Sequence, residues 1–70
     1  MNSTWIVRCY NKNDKIVNIF VIKDRTETEA LHEAENYPEV LNAHDWTLTE
    51  KGKLPLNQKE RALLAKKEKA

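Results

Sequence analysis

Along residues 4–10, Thr-Trp-Ile-Val-Arg-Cys-Tyr, aromatic and β-branched residues alternate between two faces. Trp5, Val7 and Cys9 fall on one, and Ile6, Arg8 and Tyr10 on the other. Residues of these types suit a pleated surface, so this run predicts a first strand. The next five, Asn11-Lys12-Asn13-Asp14-Lys15, are turn formers, because Asn and Asp tolerate positive φ and bond their own backbone. A hairpin is expected. Its return strand, over residues 16–23, places Ile16, Asn18, Phe20 and Ile22 on one side and Val17, Ile19 and Val21 on the other, which leaves both faces largely apolar.

The period then changes. Thr26 followed three residues later by Glu29 fits a capping box, and the acidic first turn suits the positive end of a helix dipole. On a 3.6-residue repeat Ala30, Ala34 and Tyr37 fall together with Leu31 beside them, while Glu29, His32, Glu33 and Asn36 take the opposite side. Pro38 disfavours the helical region for Tyr37, so the helix is expected to stop near Asn36, with a short further turn at Val40 and Leu41. Trp46-Thr47-Leu48-Thr49 alternates again and predicts a third strand.

The fold class is therefore α+β: a small ββαβ domain over residues 1–50, with a three-stranded antiparallel or mixed sheet and one helix on one face. Strands one and two should be antiparallel neighbours. The expected core joins Trp46 and Leu48 to Ala30, Leu31, Ala34, Tyr37 and alternate hairpin residues, with one tryptophan buried. Residues 51–70 form a separate basic tail, partly helical or disordered. In it Leu54-Pro55-Leu56 reads as a connector, and Asn57 as an N-cap with Glu60 at the third position of a second helix over residues 58–68. Ala62, Leu63, Leu64 and Ala65 spread around that helix, and an undocked helix of this length is marginal in water. Apolar residues on both sheet faces call for a second cover. The tail, through Leu54, Leu56, Leu63 and Leu64, a second copy of the chain and an outside partner are the three expected sources.

Charge changes the picture more than composition does. The chain has 70 residues and a formal net charge of only +1, yet residues 24–50 hold eight carboxylates against Arg25 alone. Residues 51–70 reverse this, with six lysines and Arg61 against Glu60 and Glu68. Such blocks govern encounter and partner choice. A chain this short makes one domain and buries about 60% of its unfolded surface, so its stability is modest. Cys9 is alone and no signal-peptide pattern precedes Trp5, which together point to a cytoplasmic location. No apolar run reaches the ~20 residues of a membrane span.

Chemical motifs are not evident. A single glycine excludes a Gly-rich phosphate loop. Cys9, His32 and His44 lack metal-ligand spacing, and the His32-Glu33 start of a metalloprotease motif meets Asn36 where the second histidine belongs. No metal, cofactor or enzymatic activity is expected.

The leading functional expectation is a small protein-interaction module, an inhibitor or adaptor, that engages a protein partner such as a nucleic-acid-handling protein. Glu29, Glu33, Glu35 and Asn36 would supply charge and polar contact on the helix face, and Tyr10 an apolar anchor on the spare sheet face. The same size and layout occur in inhibitors and adaptors of phages and other mobile elements, an analogy of layout alone. One alternative is nucleic-acid binding through Lys51, Lys53, Lys59, Arg61, Lys66 and Lys67. Another is a homodimer formed through sheet faces or edges.

Overall fold

A computed structural model describes residues 2–68 of the chain, and the side chains of residues 2–66. Its elements run β1 (Ser3–Tyr10), β2 (Ile16–Arg25), α1 (Glu27–Glu35), α2 (Pro38–Leu41), β3 (Asp45–Glu50) and α3 (Gln58–Glu68). The three strands form one antiparallel sheet in the order β2-β1-β3. Placing β3 beside β1 requires the α1–α2 segment to cross the sheet. It does so on the face that holds Trp5, Val7, Cys9, Phe20 and Ile22, where Ala30, Ala34 and Val40 complete a buried cluster. Because Ala30 and Ala34 carry only a methyl group, the helix can lie close to the strands. Tyr37 stacks on Phe20 with ring centroids 4.2 Å apart and planes 5° from parallel, a contact worth about 0.5–1.5 kcal/mol beyond area burial.

Local chemistry sets the ends of the elements. Asn11 accepts amide hydrogens from Asn13 and Lys15 on its side-chain oxygen, and Asp14 adopts φ 61°, closing the β1–β2 hairpin. The register shifts between Cys9 and Tyr10 and again between Ser3 and Trp5. In the first shift Val17 is the extra residue, which accounts for its exposure and sets Ile16 opposite Tyr10, out of step with Asn18, Phe20 and Ile22. In the second, Asp24 takes φ 58° and β2 continues to Arg25, two residues beyond the expected end. Thr26 and Glu29 form the reciprocal capping box of α1, and extended Tyr37 before Pro38 separates α1 from α2.

Two details of the expected core are corrected. Leu31 is 40% exposed because it lies at the flank of α1, and Val40 of α2 is buried where the helix leaves room. The buried tryptophan is Trp5, whose Nε1–H donates to the Arg25 carbonyl at 2.9 Å, while Trp46 packs half-buried at the edge of the cluster.

The central strand is buried without interruption from Trp5 to Cys9. That pattern requires cover on both faces. α1 supplies one layer, and α3 packs against β2 on the other side, over Ile6, Arg8 and Ile19. Of the three expected covers for the second face, the chain's own tail is the one that lies there.

Candidate interaction surfaces

Arg8 stands in the middle of β1, opposite Ile19 on β2 and Thr47 on β3, and is 1% exposed. A cation this deep requires a partner. Its Nε–H donates to Glu60 Oε2 at 2.9 Å and its Nη2 to the Leu54 carbonyl at 2.8 Å. Nη1 is buried and makes no hydrogen bond to the described residues. Glu60 is itself 7% exposed, and its second oxygen accepts the Asn57 amide at 3.0 Å while Asn57 Oδ1 accepts the Glu60 amide at 2.8 Å. One carboxylate therefore caps α3 and pins it to the sheet. Desolvation raises the Glu60 pKa, but the Asn57 amide and the Arg8 guanidinium outweigh it and hold the group below the ordinary value.

With α3 fixed on that face, the carboxylates of α1 and the cations of α3 lie on opposite sides of the sheet. Glu27, Glu29 and Glu35 are exposed on α1. Lys51, Lys53, Lys59, Arg61 and Lys66 are exposed on the turn after β3 and on α3, whereas the side chain of Lys67 lies outside the described residues.

Several of the expected site residues have local bonding. Glu29 accepts the Thr26 amide at 3.0 Å, which with the Thr26 hydroxyl contact lowers its pKa. Glu33 lies 3.9 Å from Arg25 across an exposed gap, an interaction of little energetic weight. Asn36 Nδ2 donates to the His32 carbonyl at 2.9 Å. Tyr10 lies on the α3 face of the sheet, its hydroxyl 3.3 Å from Thr47 Oγ1, so the sheet separates it from the acidic helix. These residues do not form one continuous surface.

A different constellation does. β3 is an edge strand, and α1 sits over β1 and β2 rather than over β3. The space left between α1 and β3 is an open groove of about 520 Å³, lined by Glu27, Thr28 and Leu31 from the helix and by Trp46 and Leu48 from the strand. Its side chains are apolar except for Thr28 and the carboxylate of Glu27. Glu50 follows two residues along β3 and accepts the Ser3 hydroxyl at 2.6 Å.

No family model, curated protein or solved structure matches this chain. The site is therefore read from its own chemistry. Among the described residues no cluster of three or more His, Cys, Asp or Glu side chains is placed to hold a metal ion, and no helix is long and apolar enough to cross a membrane. Cys9 is fully buried whereas His32 and His44 are exposed.

The groove was available in the sequence only in part. Leu31 beside the helical stripe and the alternation at Trp46 and Leu48 were evident, but their juxtaposition depends on β3 joining the β1 side of the sheet.

Proposed function

We propose that this chain is a non-enzymatic protein-interaction module, an inhibitor or adaptor, that takes a basic and apolar segment of a partner protein along β3 and into the groove beneath α1. The observation that carries this reading is the exposed Leu31 facing half-buried Trp46 and Leu48 in a groove whose charged lining residue is Glu27, next to an open sheet edge. An added strand gains main-chain hydrogen bonds from an edge, and alternate side chains of that strand meet the groove. Cationic residues on the incoming segment complement Glu27 and Glu35, which steers encounter more than it adds affinity.

The test is a titration with short peptides that alternate Lys or Arg with Val or Leu, read by tryptophan emission and by anisotropy. Binding should shift the emission of Trp46, disappear in Leu31→Ser and weaken in Glu27→Lys. If no such peptide binds above its serine-substituted control, the reading is wrong.

The exposure of Lys51, Lys53, Lys59, Arg61 and Lys66 supports a second reading, nucleic-acid binding by the tail. It calls for steeply salt-dependent affinity for DNA or RNA that falls when these cations are reversed.

A further inference from the structure

The docking of α3 creates a second groove on the side of the sheet opposite α1. One part, about 220 Å³, is floored by Ile6, Val21, Leu56 and Leu64 and carries Lys23 and Lys51. The adjoining part, about 250 Å³, shares Ile6, Lys51 and Leu56, extends over Leu54 and Pro55 and ends at Arg61. Lys23, Lys51 and Arg61 are exposed, and Leu54 is 53% exposed at the rim. Among the described residues neither part is lined by a carboxylate. With Thr4 as the neutral polar residue of the lining, an apolar floor whose charged groups, among the described residues, are cations is the reverse of the α1–β3 groove.

We infer that this second groove docks an acidic peptide segment bearing apolar side chains, a protein partner opposite in charge to the one proposed for β3. Charge complementarity chooses the sign of the occupant, and the floor chooses its chemistry. Aliphatic side chains can bury themselves against Ile6, Val21, Leu56 and Leu64 while carboxylates meet the three cations. A nucleic-acid strand fits less well, since no aromatic side chain lines the groove for bases to stack on. The inference about this groove stands without the β3 proposal. The two together would make the domain a bridge between partners of opposite charge, and that consequence rests on both.

The experiment uses the full chain and a labelled peptide alternating Glu with Leu, followed by anisotropy. Saturable binding is expected, with affinity reduced roughly 1.5-fold to fivefold in each of Lys51→Glu and Arg61→Glu, the range for an exposed ion pair. Leu54→Ser, a change at an exposed side chain, should weaken binding with the fold unchanged by circular dichroism. Glu27→Lys on the opposite side should leave this affinity intact, which separates failure here from failure of the β3 reading. Equal binding of a Glu/Ser peptide would reduce the interaction to diffuse charge attraction and overturn the inference. So would binding of an oligonucleotide in preference to the peptide, or displacement of the peptide by self-association of the domain in sedimentation.

Discussion

Arg8 and Glu60, fifty-two residues apart in sequence, meet at 2.9 Å beneath α3, and both are almost completely buried. The pair links the last helix to the central strand. Its net contribution depends on the comparison made, because removing two charges from water opposes the attraction between them. Taking away one partner strands the other in a dry interior.

Arg8→Met or Glu60→Leu alone should therefore cost about 3–5 kcal/mol, the range for breaking a buried pair. The whole domain is stabilised by only about 4–10 kcal/mol on the scale of ordinary proteins of this length, so either change should unfold it or release α3. Replacing both with apolar residues, as in Arg8→Met with Glu60→Leu, should recover much of the loss. Urea unfolding of the four proteins measures the coupling. Additive losses in the double variant would show that the two side chains do not act as a pair.

Stability should also depend on acid. Folding holds the Glu60 carboxyl below its ordinary value of 4.5, so the unfolded chain binds the proton first as pH falls. The stabilisation is complete above that unfolded value and is lost as pH drops through the lower folded value. Glu29 acts in the same direction through its bonds to Thr26. Thermal melts of the wild type should fall as pH drops below 4.5, and Glu60→Gln should flatten that dependence. An identical acid profile in the variant would remove Glu60 from the account.

Much of the ββαβ domain was legible because its signals are local: alternation in the strands, the Asn-rich turn, and the Thr26–Glu29 box. α3 was legible as a helix, and its docking only as one of three covers for the second sheet face. Its packing face is the row Glu60, Leu63 and Leu64, and a carboxylate as the most buried member of that row breaks the apolar stripe by which an amphipathic helix is recognised. The matching signal was Arg8, a charge on a strand face otherwise lined by Ile6, Ile19 and Val21. Strand order was not legible, since pairing β3 with β1 depends on the route of the α1–α2 segment across the sheet. For the same reason the groove was not legible, since it arises where Leu31 meets Trp46; Tyr10 and the α1 carboxylates occupy opposite faces, as the alternation of β1 implies.

The cap of α1 makes a simpler prediction. Thr26→Ala removes the acceptor for the Glu29 amide and should destabilise the domain by about 0.5–2 kcal/mol, the usual cost of losing an N-cap. Chemical denaturation measures it, and a change within error would mean that the cap is dispensable.

The two tryptophans should respond differently to a quencher in solution. Trp5, 9% exposed and bonded to Arg25, should be shielded, while Trp46 in the groove should be accessible. Acrylamide quenching of Trp5→Phe and Trp46→Phe separates them; equal quenching of the two would contradict the burial assigned to Trp5.

The proposal that β3 and the α1 groove form a binding surface is tested most directly by a backbone amide NMR titration of the full chain with a peptide alternating Lys and Val. The account predicts saturable shifts concentrated at residues 45–50 and around Leu31, with slowed hydrogen exchange along β3. Shifts confined to α3 and the connector before it, or none at all, would contradict it.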